Sequence, residues 1–239
     1  MPLRLFVDAP LASGTALALP GGAARHAQVR RVQPGDALQL FDGHGGEWAA
    51  VVTGMTRQSV DVRIGEKVAV DSELPLRVTL ALGVPTNERM DTLVEKATEL
   101  GVAVLQPLLC ERSVLRLDGE RAERKRAHWQ AIAVAACEQC GRATVPVVEP
   151  VRGYAGWLAQ RSTSGVRLLL SLDPGAPPLH ALATGAGAVL TLSGPEGGLT
   201  PGEERLALAA GFAPVALGPR VLRADTAPLA VLAWLGLRA

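Results

Sequence analysis

Aromatic residues are scarce in this chain of 239 residues, since phenylalanine, tryptophan and tyrosine together make up 3% of it. Hydrophobic residues still account for 48%, so the core must be built mainly from leucine, valine and alanine. No apolar run approaches the ~20 residues of a membrane span, and the amino terminus lacks the apolar region of a signal peptide. We therefore expect neither a membrane-spanning helix nor a secreted protein.

The sequence is also poor in residues that bind metals. Its three cysteines are an odd number without a secretory context, which predicts reduced thiols in a cytoplasmic protein. Cys137 and Cys140 have the spacing of a zinc or redox pair, but they fall inside a predicted helix and no second ligand pair follows. We interpret them as packing residues. The histidines at 26, 44, 128 and 180 lack metal-ligand spacing, so we expect no metal site.

Several catalytic and nucleotide-binding motifs are absent. The sequence has no G-x-x-x-x-G-K-[ST] phosphate loop, and no G-x-G-x-x-G follows the first strand of a βαβ unit. A G-x-S-x-G nucleophile turn is missing as well. These absences argue against triphosphate-binding enzymes, dinucleotide-binding enzymes and serine hydrolases. The net charge of +1 neither requires nor excludes a nucleic-acid partner.

The chain divides into two regions at a polar stretch over residues 66–76. Before it, short strands over 37–41, 47–53 and 58–64 and one helix over 21–31 predict a small β-barrel within residues 1–70. After it, strands and helices alternate, which predicts an α/β domain over 74–239 with a parallel sheet covered on both faces. Its strands are expected at 76–83, 102–109, 145–148, 166–172, 188–193 and 213–217, and its helices include 86–100, 119–140 and 226–237.

One turn of the second region is rich in glycine, within LSGPEGGLTPGEE over residues 192–204. A helix should begin directly after it, because Thr200 and Glu203 form a capping-box pattern with Pro201 at the first helical position. The turn therefore lies at the carboxyl end of a strand, where open α/β sheets bind ligands. Glycines there expose main-chain groups to a ligand. A tight connection without a ligand is the alternative.

A second turn of similar composition follows the strand that ends at Leu217, within LGPRVLRADTA over residues 217–227. Two side-chain-poor turns at neighbouring strand ends predict a pocket that recognises its ligand through main-chain groups and leucines. Such a pocket suits a flat heterocycle better than a triphosphate.

The two turn segments resemble those of the RsmE family, the 16S ribosomal RNA (uridine-N3) methyltransferases of the SPOUT class. EKATELGV over 95–102, ACEQCGR over 136–142 and RHAQVRRVQPGDALQLFDGHGGEW over 25–48 extend the resemblance to nearly the whole chain. It implies a PUA-like RNA-binding barrel over 1–70 and a SPOUT methyltransferase domain over 74–239, with a trefoil knot over roughly 166–239. It also implies a homodimer that methylates N3 of one uridine in 16S ribosomal RNA of the small ribosomal subunit.

The resemblance further implies S-adenosylmethionine as the methyl donor, enclosed by the turns after three strands. The matching residues of this chain are Leu172, Gly194, Pro195, Glu196, Gly197, Gly198, Leu217, Gly218 and Leu222.

Methylation of uridine N3 requires that N3 lose its proton, because the protonated nitrogen is a poor nucleophile. A general base would remove this proton, whereas a cation would stabilise the resulting uridine anion and so lower the pKa of N3–H. Arg220 and Arg223 flank the second turn and are the candidate catalytic cations, with phosphate binding as the alternative. Glu196 is the carboxylate nearest the first turn, where capping or holding the loop is an equally suitable role. The general base is not identified.

The chain departs from the family pattern at Ala224 and Asp225, where the family usually has threonine and glutamate. An aspartate there would suit a cap of the final helix. If the carboxylate instead touches the substrate or a second subunit, the shorter side chain changes the geometry of that contact.

We expect RNA contacts from basic residues in both regions, so that binding is sensitive to salt. For residues 119–126, a solvated helix face with ion pairs such as Glu120 with Arg124 is the better interpretation. The expected RNA contacts are Arg4, Arg25, His26, Arg30, Arg31, Arg112, Arg116 and Arg142.

The last predicted helix, over 226–237, is apolar nearly all round. It is either buried within its domain or shared with a second copy of the chain. We favour a dimer interface with Trp234 as an anchor.

Two rival functions make different predictions. A non-catalytic RNA-binding or ribosome-assembly module would bind RNA without saturable binding of a methyl donor. An α/β nucleotide enzyme of other chemistry would bind phosphorylated cofactors, against which the missing phosphate motifs argue.

Overall fold

The computed structural model describes residues 2–70, 72–160, 165–181 and 187–238. The chain forms two compact units, one of residues 1–73 and 134–145 and the other of residues 74–133 and 146–239. Residues 134–145 fall in the predicted second region of the sequence, yet they group with the first unit.

Five strands and one helix make up most of the first unit: β1 (Leu3–Phe6), β2 (Ala16–Ala18), α1 (Gly21–Val29), β3 (Ala37–Phe41), β4 (Glu47–Met55) and β5 (Val60–Val68). The strands form a mixed sheet in the order β1-β3-β4-β5-β2. β1 runs parallel to β3, and the other neighbours pair antiparallel. One apolar cluster, which includes Leu5, Leu40 and Val62, packs beneath the sheet and α1.

Two predicted elements of this unit are longer than the observed ones, and the local turns explain the difference. α1 ends at Val29 rather than at residue 31, because Arg31 adopts a left-handed conformation with φ of 56°. β5 begins at Val60 rather than at residue 58, because the Thr56 hydroxyl accepts hydrogen bonds from the backbone N–H groups of Gln58 and Ser59.

The segment 134–145 is held in the first unit by buried polar and apolar contacts. Arg4 donates a hydrogen bond of 2.6 Å to the carbonyl of Cys137. The Cys137 side chain packs with Phe41 and Ala143, and burial raises the pKa of its thiol to about 12. The packing role predicted for this cysteine is confirmed. Among the described residues no group of three or more His, Cys, Asp or Glu side chains is arranged to hold a metal ion.

The second unit contains a parallel sheet. Its elements are β6 (Arg77–Gly83), α2 (Asn87–Glu99), β7 (Val104–Leu109), α3 (Gly119–Cys140, whose last turns belong to the first unit), β8 (Val147–Val148), β9 (Arg152–Gly153), α4 (Tyr154–Ala159), β10 (Val166–Leu170), a 3₁₀ helix (Leu179–Ala181), β11 (Ala188–Ser193), α5 (Pro201–Ala209), β12 (Ala213–Val215) and α6 (Thr226–Gly236).

The seven strands are ordered β12-β10-β11-β6-β7-β8, with β9 also beside β7. Every one of these pairings is parallel, which confirms the parallel sheet predicted from the alternation. The strands predicted at 166–172 and 213–217 end earlier, at Leu170 and Val215. Beyond Val215, Ala216 forms an isolated bridge with Pro178. No helix in the described part of the chain is long and apolar enough to cross a membrane.

Candidate functional site

The glycine-rich turn joins β11 to α5 as predicted. The Thr200 hydroxyl accepts a hydrogen bond of 3.2 Å from the backbone N–H of Glu203, and the Glu203 carboxylate accepts one of 2.9 Å from the backbone N–H of Thr200. This reciprocal pair is the predicted capping box, with Pro201 in the first turn of the helix. It fixes the point at which the turn ends.

Within the turn the chain passes close to itself at Gly194. A β-carbon on Gly194 would lie 2.7 Å from the backbone nitrogen of Leu199 and 2.8 Å from the carbonyl carbon of Gly198. Backbone atoms cannot yield as a flexible side chain can, so only glycine fits at this position. The turn also meets the end of β6, where a β-carbon on Gly83 would lie 2.4 Å from Cδ of Pro195.

Hydrogen bonds of two charged side chains, Arg112 and Glu203, hold the glycine-rich turn in place. One guanidinium nitrogen of Arg112 donates hydrogen bonds of 3.1 Å and 3.3 Å to the carbonyls of Gly197 and Leu199. The neighbouring backbone N–H of Glu111 donates a hydrogen bond of 2.9 Å to the buried carboxylate of Glu203. The loop after β7 and the start of α5 are therefore joined on both sides of the turn.

Glu196 binds the residue before α2. Its carboxylate accepts a hydrogen bond of 2.9 Å from the backbone N–H of Thr86 and lies 4.0 Å from the guanidinium of Arg89. Partial burial opposes ionisation of this carboxyl, but the Thr86 hydrogen bonds and the nearby Arg89 charge outweigh it and lower its pKa below 4.5. The loop-holding role considered for Glu196 matches this geometry.

The turns after β10 and β12 lie at the same edge of the sheet, because β12, β10 and β11 are parallel neighbours. The backbone N–H of Ser171 donates a hydrogen bond of 2.9 Å to the carbonyl of Val215, which joins the ends of these strands. In the turn after β12, Gly218 has a φ of 93°, a conformation that favours glycine. Three strand ends thus converge, as the sequence predicts for neighbouring strands.

A pocket with a volume of about 770 Å³ lies between the three turns. It is lined by every residue expected to bind the methyl donor and by Arg220, Arg223 and Arg112. The residues expected to bind the donor are Leu172, Gly194, Pro195, Glu196, Gly197, Gly198, Leu217, Gly218 and Leu222. The fold therefore brings these separate stretches of sequence to one cavity.

The pocket wall also contains polar residues that sequence reasoning did not assign to it, among them Arg89, Ser171, Ser193 and Glu204. Ser193 is the last residue of β11, so its position at a strand end was an available signal. Arg89 lies in the first turn of α2 and reaches the pocket only through the tertiary fold.

Ser193 and Asp225 each bury a polar atom that has no hydrogen-bond partner among the described residues. These atoms are Oγ of Ser193 and Oδ1 of Asp225. Asp225 precedes α6, but its side chain makes no capping hydrogen bond. Of the two roles considered for Asp225, the structure does not show the cap of the final helix, and contact with the substrate or a second subunit stays a prediction.

The residues expected to contact RNA fall into three groups according to their exposure: exposed, partly exposed and buried. Arg25, Arg30, Arg31 and Arg116 are exposed, and Arg112 is exposed but bonded to the glycine-rich turn. His26 is partly exposed and lies 3.0 Å from the Glu138 carboxylate.

Arg4 and Arg142 form the third group, because both are buried. Arg4 lies 2.5 Å from the carboxylate of Glu47, and Arg142 lies 2.6 Å from that of Glu73. Their guanidinium groups bind the protein itself, which explains their burial. We therefore keep RNA contact as a proposal for the exposed arginines and interpret these two as structural.

The interpretation of α3 is confirmed, whereas the dimer interface expected on α6 stays a prediction. On α3, Arg124 lies 3.2 Å from Glu120 and Arg126 lies 3.0 Å from Glu123, so the basic stretch over 119–126 is a solvated face with ion pairs. On α6, Val231, Leu232 and Leu235 are buried within the second unit, while Trp234 is half-buried and Leu237 is 88% exposed.

Comparison with known proteins gives consistent matches along the chain. Residues 72–236 match the model of an RNA methyltransferase domain, and residues 19–65 match that of an RNA methyltransferase PUA domain. Ribosomal RNA small subunit methyltransferase E of Synechocystis sp. is 35% identical over 86% of this chain and 67% of that protein. The protein of the same name from Bacillus subtilis is 32% identical over 85% of this chain and 82% of that protein.

Solved structures show the same likeness. A ribosomal RNA small subunit methyltransferase E from Neisseria gonorrhoeae, bound to S-adenosylmethionine, superposes with a TM-score of 0.93. Its sequence is 38% identical, and the match covers 98% of this chain and 97% of that chain. A Legionella pneumophila protein in complex with S-adenosylmethionine has a TM-score of 0.94 at 32% identity, over 100% of this chain and 98% of that one.

Proposed function

Because the chain belongs to the ribosomal RNA small subunit methyltransferase E family, we propose that it transfers a methyl group from S-adenosylmethionine to N3 of a uridine in 16S ribosomal RNA. The observation that carries this proposal is the pocket enclosed by three side-chain-poor turns at one edge of the parallel sheet. The methyltransferase domain spans most of the chain. Catalysis is therefore favoured over a non-catalytic RNA-binding or ribosome-assembly module.

The residues of the pocket fit an adenosyl compound. Its volume of about 770 Å³ lies within the range of roughly 300–1,000 Å³ that is typical of small-molecule sites. A β-carbon on Gly218 would meet no protein atom within 4 Å, so the missing side chain leaves that wall open to a ligand. Leucine side chains and main-chain groups form much of the remaining wall, which suits a flat heterocycle.

When bound, S-adenosylmethionine supplies an electrophilic methyl group on a sulfonium. The residues that would hold it lie in the three turns: Leu172, the stretch from Gly194 to Gly198, and Leu217, Gly218 and Leu222. The glycine-rich turn is held within the protein by the hydrogen bonds of Arg112, Glu196 and Glu203. Such preorganisation lowers the entropy lost when the reacting groups are brought into line.

The uridine must lose its N3 proton before N3 can attack. Arg220 and Arg223 are exposed on the pocket wall, and a guanidinium near the uracil ring would stabilise the anion and lower the pKa of N3–H. This is the role we propose for the two arginines. They would act on the acceptor base, so their removal should affect methyl transfer more than donor binding.

Finer features of the family complete the proposal. We assign residues 1–70 to a PUA-like barrel that binds RNA and residues 74–239 to the SPOUT methyltransferase domain. The close self-approach at Gly194 is compatible with a trefoil knot over roughly 166–239. The partly exposed Trp234 at the end of α6 and the exposed Leu237 directly after it would form part of a homodimer interface. A cytoplasmic location follows from a ribosomal substrate.

Calorimetric titration of the purified protein with S-adenosylmethionine and with ATP tests the donor assignment. We expect saturable binding of S-adenosylmethionine and none of ATP. A methylation assay on small-subunit particles and on stripped 16S ribosomal RNA, with mass spectrometry of the nucleosides, then tests the acceptor. RNA binding without any binding of S-adenosylmethionine would favour the non-catalytic module and refute the proposal.

A further inference from the structure

The side chain of Arg112 packs directly against the glycine-rich turn. One guanidinium nitrogen donates hydrogen bonds of 3.1 Å and 3.3 Å to the carbonyls of Gly197 and Leu199. A β-carbon on Gly197 would lie 3.0 Å from Cβ of Arg112 and 3.4 Å from its carbonyl oxygen. Gly197 does not adopt the left-handed conformation that favours glycine, so its backbone alone would accept alanine. The missing side chain at residue 197 therefore makes room for Arg112.

Both carbonyls that Arg112 binds belong to peptide groups that are also bonded at their N–H ends. The N–H of Gly198 donates a hydrogen bond of 2.8 Å to the carbonyl of Pro195, and the N–H of Thr200 donates one of 2.9 Å to the carboxylate of Glu203. A planar peptide group that is bonded at both ends cannot rotate without breaking a hydrogen bond. Arg112 therefore helps to fix the directions of the main-chain groups along this part of the pocket wall.

The backbone on either side of Arg112 is held in place as well. The N–H of Ser113 donates a hydrogen bond of 3.1 Å to the carbonyl of Cys110, and the buried Ser113 hydroxyl accepts one of 3.0 Å from the N–H of Cys110. The N–H of Glu111 donates one of 2.9 Å to the buried carboxylate of Glu203. Arg112 is an exposed residue, but its side chain leaves from a fixed backbone, so less entropy is lost when its guanidinium binds the turn.

The position of Arg112 distinguishes it from Arg116, the other arginine of this segment that is expected to contact RNA. Arg112 lines the pocket and binds main-chain carbonyls of the pocket wall. Arg116 is exposed and does not line the pocket. Arg112 therefore has its partners within the pocket wall, whereas Arg116 lies where a phosphate group of RNA could reach it without disturbing the pocket.

Resting on the proposed function, we propose that Arg112 is a positioning residue of the methyl-donor site rather than an RNA contact. It acts on the donor through the carbonyls of Gly197 and Leu199, which it holds in the arrangement that a ligand meets. A pocket that recognises its ligand through main-chain groups loses affinity when those groups are no longer held, because binding must then also order the turn. This role replaces the RNA contact expected for Arg112.

Calorimetry on the RNA-free protein tests this role with two ligands, S-adenosylmethionine and 5′-methylthioadenosine, which lacks the charged amino-acid end. For Arg112→Met we expect both Kd values to rise by about three- to tenfold, the scale of a net hydrogen-bond contribution. Arg116→Met is the matched control, and both of its Kd values should equal those of the wild type. Because no RNA is present, a lost RNA contact cannot contribute to either result.

Two further variants change the same contact in other ways. Arg112→Lys keeps the charge but presents its donors in a different geometry, so its Kd values should lie between those of the wild type and of Arg112→Met. Gly197→Ala places a methyl group against Cβ of Arg112 and should raise both Kd values although the arginine is intact. This variant provides the test if Arg112→Met does not fold.

Filter binding of RNA at several salt concentrations supplies an independent readout. The slope of log K against log salt should stay at the wild-type value in Arg112→Met, because the guanidinium is proposed to bind the turn. Loss of one phosphate contact would instead reduce this slope by about 0.7.

The outcomes separate this inference from the function on which it rests. If the wild-type protein binds neither ligand, the proposed donor site is refuted and the inference with it. If the wild type binds both ligands and Arg112→Met binds them equally well, only the role of Arg112 is refuted, even if the stability or the salt sensitivity of the variant changes. A rise in Kd confined to S-adenosylmethionine would place the guanidinium on the charged end of the donor and refute positioning through the turn.

Discussion

The carboxylate of Glu196, at the tip of the glycine-rich turn, accepts a hydrogen bond of 2.9 Å from the backbone N–H of Thr86, immediately before α2. Two segments separated by more than a hundred residues are joined in this way at the edge of the candidate site. Since the accepting group is a carboxylate, the strength of the connection depends on its ionisation.

Replacement of Glu196 by glutamine should lower the free energy of unfolding by about 1 kcal/mol at pH 7, a contribution typical of a partly exposed charge-assisted hydrogen bond. The pKa of Glu196 is lowered in the folded protein, so this stabilisation is present above pH 4.5 and is lost as the pH falls below that value. Urea unfolding of both proteins at pH 7 and in acid measures the difference. Glu120→Gln, on a residue whose side chain is 90% exposed, is the control and should change little.

Gly194→Ala should destabilise the protein by about 1–3 kcal/mol, because the new methyl group would overlap backbone atoms of Gly198 and Leu199. The opened turn should also bind S-adenosylmethionine more weakly. Chemical unfolding and calorimetry measure the two effects. Gly202→Ala is the matched control, since a β-carbon there meets nothing nearer than 3.6 Å. Equal stability of the two variants would contradict the self-approach at Gly194.

Arg220→Ala and Arg223→Ala should reduce the rate of methyl transfer by about a hundredfold, the scale expected when one electrostatic stabiliser is removed. The Kd of S-adenosylmethionine should stay near the wild-type value, because these arginines are proposed to act on the uridine. The pH profile of the rate should also move to higher pH, since N3–H then ionises without help. Arg205→Ala, on an exposed residue outside the pocket, is the control.

The exposed arginines of the first unit should bind phosphate groups of RNA. Replacing Arg25, Arg30 and Arg31 by glutamine should weaken RNA binding and reduce the slope of log K against log salt by about 0.7 for each phosphate group that is no longer bound. Filter binding at several salt concentrations measures this slope. Arg124→Gln removes a cation already paired with Glu120 and should leave the slope nearly unchanged. An unchanged slope in the triple variant would refute the RNA contact.

Arg4 should behave differently, because it is buried beside Glu47. Arg4→Met leaves a buried carboxylate without its partner and should lower the free energy of unfolding by about 3–5 kcal/mol. Arg25→Met, on an exposed residue, should cost far less. Urea unfolding compares the two. A mild effect of Arg4→Met would contradict the structural role that replaces its predicted RNA contact.

Local sequence patterns determined the elements of the fold and the chemistry of the turns. Thr200, Pro201 and Glu203 specify the start of α5, because a capping box is made within four residues of the chain. The strand at 188–193 and the helix at 119–140 follow from composition and periodicity. The glycines of the turn predict a close approach, which Gly194 makes. The resemblance to a family added the methyl donor and the acceptor base, which no local pattern specifies.

Only the tertiary structure decided which residues share the pocket and which charges face inward. Arg4 and Arg142 look like surface cations in the sequence, but the fold pairs each with a distant carboxylate. Arg89, Ser193 and Glu204 reach the pocket wall from separate elements. The physical reason is the range of the interactions: capping and turn formation act over a few residues, whereas burial and ion pairing depend on segments that only the packed sheet brings together.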